Sequence, residues 1–122
     1  MITEFPEIPH FDPAAIDRLR QVAGDQAATF VAEMARLFLA ETAKSLADLA
    51  GAAEKGEWRQ VGRIAHSLKS SAATLGLMRL SALSKALETD AGGGVPTPQT
   101  APLITALLDE FERARPTLRG LA

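Results

Sequence analysis

The sequence predicts an all-α fold, an antiparallel four-helix bundle with a short additional N-terminal helix, and three observations carry that expectation. Apolar residues recur at spacings of three and four along most of the chain, the pattern of helices that bury one face. No segment alternates polar and apolar residues over a useful length, and β-branched residues are sparse, so little is available to build a sheet. Glycine, proline and capping residues interrupt the helical pattern at short intervals, which implies short connections between neighbouring helices. With 122 residues and 47% hydrophobic content, the chain suffices for one buried core and one domain.

Residues 1–11 contain Pro6 and Pro9 and no helical period, so they are expected to form an extended or disordered arm ahead of a domain at 12–122. Asp12-Pro13 marks the first helix start: aspartate caps free backbone N–H groups and proline is tolerated in the first turn. This helix runs to about Val22. Gly24-Asp25 supplies a turn and a second cap. Phe30, Met34, Phe38, Leu46, Leu49 and Ala53 then mark one face of a long helix from about Gln26 to Ala53. Gly56 breaks it. The third helix spans about Trp58 to Leu75 and ends at Gly76, a residue suited to a left-handed C-terminal cap. Leu77, Leu80, Leu83 and Leu87 stripe the fourth helix. Gly92-Gly93-Gly94-Val95-Pro96-Thr97-Pro98 is the clearest loop. The fifth helix begins between Pro98 and Pro102, carries Ile104, Leu107, Leu108, Phe111 and Ala114, and is expected to end or kink at Pro116.

Composition removes several function classes. There is no cysteine, hence no disulfide framework and no thiolate metal site. The N-terminus has no basic, then apolar, leader pattern and no segment offers the roughly 18 apolar residues of a membrane span, so a cytoplasmic protein without membrane insertion is expected. A formal charge of −2 argues against a nucleic-acid partner. The charge is unevenly spread. Between Gly56 and Lys85 the only acidic residue is Glu57, against Arg59, Arg63, Lys69, Arg79 and Lys85, a basic face suited to an acidic protein or a phosphoryl group.

On the third helix, Val61, Ala65, Leu68, Ala72 and Leu75 fall within roughly 40° of one direction, which must face the core. His66 lies about 140° away, on the far side. Its neighbours on that face are Arg59, Gly62, Arg63, Lys69, Ser70, Ala73 and, past the cap, Leu77. Gly62 and Ser70 lie one turn before and after His66, so no bulky side chain is expected to screen the ring. An interior helical glycine costs roughly 1 kcal/mol, so Gly62 implies close approach by a partner or, equally, packing against the second helix. A neutral imidazole is a nucleophile available near neutral pH. Lys69 can set an ammonium beside the oxygens of a phosphoryl group in transfer, and Ser70 can donate a hydrogen bond to it. Arg59 and Arg63 sit farther along, better placed to steer an acidic partner.

The segments Phe38-Leu39, Leu46-Ala47-Asp48-Leu49, Glu57-Trp58, Ala65-His66-x-Leu68-Lys69, Ser71-Ala72, Leu75-Gly76-Leu77 and Leu83-Ser84-Lys85-Ala86-Leu87-Glu88 together resemble the histidine-containing phosphotransfer (HPt) domain family over about residues 35–90. The residue four after the acceptor, often glycine in that family, is Ser70 here. The resemblance implies a phosphocarrier rather than an enzyme. His66 would take a phosphoryl group from a receiver-domain aspartate and pass it to another, with Lys69 assisting. Arg59, Gly62, Arg63, Ala73 and Leu77 would line the docking face, over the first three helices. The implied partners are response-regulator receiver domains and a hybrid sensor histidine kinase, with a monomeric shuttle and Mg2+ held in the receiver. Glu88 occupies a position that in relatives can reach the acceptor, although the plainer reading, an exposed helix residue, is preferred. No G-x-x-x-x-G-K-[ST] loop is present, so phosphate is expected to come from a partner rather than from bound nucleotide. The start at Met1 favours a free-standing shuttle. The competing reading is a non-transferring helical module that binds receiver or kinase domains. A metal-dependent hydrolase using His10 and His66 finds no support in their spacing.

Overall fold

The computed structural model describes residues 7–122, so the first six residues of the expected arm lie outside the described part. Its elements are α1 (Pro13–Ala23), α2 (Ala27–Glu54), α3 (Trp58–Thr74), α4 (Met78–Ala91) and α5 (Thr100–Leu121), with a 3-10 turn, Gly24–Gln26, between the first two. No strand occurs among the described residues. Each of α2, α3 and α4 packs on the helix that follows it, α5 packs back on α2, and α1 lies on α2 and touches α3. One core results. Phe38, Leu46 and Leu49 of α2 meet Val61, Ala65 and Leu68 of α3, Leu80, Leu83 and Leu87 of α4, and Leu107, Phe111 and Leu118 of α5.

Two glycine turns set how α3 enters and leaves this core. At the end of α2, Gly56 at φ +72° lets its N–H reach Ala53 O at 3.1 Å while Glu57 N–H reaches Ala52 O at 2.8 Å. At the end of α3, Gly76 at φ +78° repeats the arrangement, with Gly76 N–H on Ala73 O at 3.0 Å and Leu77 N–H on Ala72 O at 2.9 Å. Both are Schellman closures, which satisfy orphan carbonyls by turning one residue left-handed. Gly76 is required twice over, because a Cβ there would lie 2.4 Å from Asp12 O.

The helix starts follow local chemistry. Asp12 Oδ1 accepts from Ala14 N–H at 3.0 Å, as its capping position predicts. Asp25 does not cap α2, because the 3-10 turn runs straight into that helix without a side-chain cap. Ahead of α5, Thr97 Oγ1 accepts from Gln99 N–H at 3.0 Å, and the hydroxyls of Thr97 and Thr100 both donate to the Asp90 carboxylate. That clamp ties the glycine-rich loop to the end of α4.

Four expectations are corrected. Pro116 neither ends α5 nor marks its last turn: the helix continues to Leu121, because Leu118, fully buried, gains core contact that offsets the lost backbone bond. Phe30 is exposed and Ala53 packs only on the edge of the core, whereas Val31 and Ala52 are buried in it, since the straight stripe drifts around the helix over its length. Leu77 is buried rather than surface-facing, because the chain reverses at Gly76 and the α3 wheel ceases to apply. The segment 8–11 is anchored: Arg79 Nε and Nη2 donate to Ile8 O at 3.1 and 2.9 Å, Phe11 packs on the core, and His10 Nδ1 meets the buried Glu110 carboxylate at 2.5 Å.

Candidate functional site

Val61, Ala65, Leu68, Ala72 and Leu75 are all buried, which turns the opposite side of α3 to solvent. The His66 side chain is 64% exposed there. Arg59, Arg63, Ser67 and Ser70 are also exposed, and Lys69 and Ala73 are half-buried. Three leucines of α4, Leu80, Leu83 and Leu87, pack inward. Glu88, one residue past Leu87, thereby comes to the edge of that face, toward α3. Ser81 Oγ donates to Lys69 O at 2.8 Å, fixing the register of α4 against α3 two turns away.

Glu88 joins the two functional candidates of α3. Its Oε1 accepts from Lys69 Nζ at 2.7 Å, and its Oε2 contacts His66 Nδ1. An ionised carboxylate only accepts, so Nδ1 carries the proton, and the tautomer this selects in a neutral ring is the one with its lone pair on Nε2. The Lys69 hydrogen bond foremost, and then that of His66, hold the Glu88 carboxyl below the ordinary glutamate range against the opposing effect of its partial burial. A carboxylate kept ionised beside the ring fixes its tautomer and orientation, as in other histidine sites with an acidic neighbour.

The site opens into a hollow of about 500 Å3 bordered by Arg59, Gly62, Arg63, His66, Ser67, Glu88 and Gly92. Arg63 is braced by Gln60 Oε1, on Nε at 3.0 Å and Nη2 at 2.5 Å. A second groove, between α2 and α3, shares Arg63 and Ser67 and adds Glu41, Thr42 and Ser45. The Ser70 hydroxyl has no hydrogen-bond partner among the described residues and stays available to a ligand.

The structure brings together His66, Lys69, Arg59, Arg63 and Ser70 on one face, with Ala73 beside them and Gly62 bordering the same hollow, and it separates one residue expected there. Leu77 lies in the core. Gly62 is buried under the glycine-rich loop: a Cβ on it would stand 3.0 Å from Gly92 Cα and 3.2 Å from Gly92 N. Its smallness serves the close passage of that loop rather than packing on α2, and Gly62 still borders the hollow beside His66. Glu88 is the residue that sequence reasoning undervalued. Its place directly after Leu87 in the leucine stripe was the available signal, but the sequence does not say which edge of α4 adjoins α3. Val22 on α1 and Phe30 and Leu37 on α2 are exposed apolar side chains; the pattern of the second helix places Phe30 on its inward face and does not single out Leu37. His10, weighed as a metal ligand with His66, is engaged with Glu110, and no group of three or more metal-ligating side chains occurs among the described residues.

The chain is similar in structure to the crystal structure of histidine-containing phosphotransfer protein B (HptB) from Pseudomonas aeruginosa PAO1, with a TM-score of 0.80 and 24% sequence identity over 92% of this chain and 93% of that one. At that identity the likeness shows the fold. No curated protein matches the sequence. The family model of the Hpt domain matches residues 33–114, a span that begins on α2 and contains the whole His66, Lys69 and Glu88 arrangement, and by that match the chain belongs to the Hpt domain family.

Proposed function

We propose that the protein is a phosphorelay intermediate that accepts a phosphoryl group on His66 Nε2 from the aspartyl phosphate of one receiver domain and passes it to the aspartate of another. The observation that carries this reading is the shared Glu88 carboxylate, which holds His66 Nδ1–H and Lys69 together on a histidine side chain that stays 64% exposed. Membership of the Hpt family supports the histidine phosphotransfer role itself. The receiver-to-receiver direction, the bundle as an antiparallel four-helix arrangement of α2–α5, and a monomeric cytoplasmic carrier belong to the same reading. The ring of packed helix pairs and their short connections support the bundle.

In this mechanism the receiver docks over α1–α3 and brings its phosphoaspartate in line with Nε2. Lys69 offsets charge on the equatorial oxygens and Ser70 donates a hydrogen bond, while Mg2+ held by the receiver would supply further positive charge there. Arg59 and Arg63 steer the acidic partner. Gly62 acts from beneath, as a spacer for the loop. The chain is a phosphocarrier and draws on no nucleotide of its own. A hybrid sensor histidine kinase is the upstream source of phosphate.

Incubation with phosphorylated receivers tests the reading. Acid-labile, alkali-stable phosphate should appear on the protein, and it should be absent from His66→Gln and strongly reduced in Lys69→Ala. Binding of receivers without any transfer would replace the shuttle with a non-transferring interaction module.

A further inference from the structure

We propose that the groove at the α2–α3 turn is a carboxylate-recognition subsite for the receiver, and that Gly94 is the positioning residue that presets Arg59 for it. This inference rests on the phosphoacceptor reading above and adds to it a determinant of which receivers dock. The groove has a volume of about 740 Å3 and is bordered by Lys55, Trp58, Arg59, Arg63 and Gly94. Arg59 and Arg63 border the His66 hollow as well, so the two depressions adjoin along α3.

The geometry of one side chain carries the argument. Among the described residues Arg59 makes no hydrogen bond and no ion pair. An unpaired surface arginine is ordinary, but the stem of this one is held. A Cβ on Gly94 would lie 2.9 Å from Arg59 Nε, 3.2 Å from Cγ and 3.5 Å from Cδ, so the glycine backbone lies flush against the arginine. Gly94 sits at φ +86°, a conformation that favours glycine, with its N–H on Ala91 O at 3.0 Å. Two fixings hold the loop in place: Gly92 packs over Gly62, and the hydroxyls of Thr97 and Thr100 donate to Asp90. Between them Gly94 braces the stem, while Arg59 as a whole stays exposed. A side chain ordered before its ligand arrives loses less rotamer freedom on binding.

The surrounding charges and distances select the occupant. Asp48 and Glu57 also border the groove, and these carboxylates disfavour a polyanion such as nucleic acid. A protein segment that brings a single carboxylate to Arg59 fits the mixture of signs. Arg59 is seven residues from His66, about 10 Å along the helix. A stable interface covers about 800 Å2 on each partner, a patch with a radius of roughly 16 Å, so a receiver seated on His66 extends over Arg59. The guanidinium fork can take the receiver's carboxylate through two N–H donors. No bond is made or broken there, and the effect falls on docking.

The test measures the dissociation constant of each receiver domain of the source organism by isothermal titration calorimetry, together with the concentration giving half-maximal transfer from the same receivers phosphorylated with acetyl phosphate. Circular dichroism verifies the fold of every variant. Arg59→Ala should weaken the best-bound receiver about fivefold in both measurements, the upper scale of an exposed charge pair, and Arg59→Lys should restore little of this because an ammonium lacks the fork. Gly94→Ala should weaken it about two- to threefold, because the new Cβ displaces the arginine stem, whereas Gly93→Ala, with open space at its Cβ, should leave it unchanged. In the Arg59→Ala background Gly94→Ala should add nothing, since a positioning residue acts only through the side chain it positions; backbone strain at residue 94 would act equally in both backgrounds. Unchanged affinity in Arg59→Ala, or an equal loss from Gly94→Ala in both backgrounds, would overturn the proposal. Receiver binding that depends on Arg59 and Gly94 without any transfer to His66 would overturn the shuttle instead and leave the subsite standing. Absence of binding by every receiver would overturn both.

Discussion

Alanine at two helical glycines, Gly51 and Gly62, should move stability in opposite directions. Gly51 lies inside α2 with open space where a Cβ would go. There, alanine removes the excess backbone entropy of glycine and should stabilise the protein by up to about 1 kcal/mol. Gly62 in α3 would gain the same propensity term. Its Cβ, however, would press on Gly92 Cα at 3.0 Å, Gly92 N at 3.2 Å and Ala91 C at 3.6 Å. These are backbone atoms that cannot rotate away, and overpacking of this kind costs about 1–3 kcal/mol. The net expectation for Gly62→Ala is about 0–2 kcal/mol of destabilisation. The two variants should therefore differ by about 1–3 kcal/mol, or several degrees in Tm for a chain of this size. Urea unfolding followed by far-UV circular dichroism, with unchanged m-values, measures both. Equal stabilisation by the two substitutions would refute the reasoning, because it would place Gly62 on an open helix face.

Leu107 of α5 is fully buried, and Leu107→Ala should cost about 2–5 kcal/mol in the same assay. Lys69→Ala should slow phosphotransfer about 100-fold, the scale of losing one charged donor at the transferring group, while changing global stability by under about 1 kcal/mol; stopped-flow or quench-flow transfer from a phosphorylated receiver reads the rate. Glu88 has its carboxyl lowered from the ordinary value of 4.5, so its contribution to folding is present above that value and is lost as pH falls through the lower folded-state one. The stability of the wild type relative to Glu88→Gln, measured by urea unfolding, should accordingly be greatest near neutrality and shrink on acidification below about pH 4. Glu110→Ala should release the segment around His10, because it removes the buried carboxylate that meets His10 at 2.5 Å; faster amide hydrogen exchange near residues 8–11 is the expected signal.

Helix existence and inward faces were legible because both follow from local pattern. The stripe through Val61, Ala65, Leu68, Ala72 and Leu75 placed His66 outward, and burial of all five residues agrees with that. Gly56 and Gly76 were readable as stops because a left-handed closing residue favours glycine. Local pattern does not carry across an element boundary. The α3 wheel does not extend to Leu77, past the point where Gly76 turns the chain, and for Gly62 it leaves close approach by a partner and packing on α2 equally open, because nothing in α3 reveals the loop that covers it. Pro116 was read by a rule about isolated helices, whereas the burial of Leu118 holds the last turns of α5 in place.

By itself, the sequence determined an all-helical chain, the outward placement of His66 with Lys69 one turn along, and the resemblance that named the chemistry. These depend on periodicity and on short-range spacing, which a linear pattern records. Only the tertiary structure decided that Glu88, 22 positions from His66, closes on both His66 and Lys69, and that Gly62 makes room for Gly92. The reason is that two helices meet along one edge of each, and which edge that is depends on how all the core side chains pack together rather than on the residues at the edge.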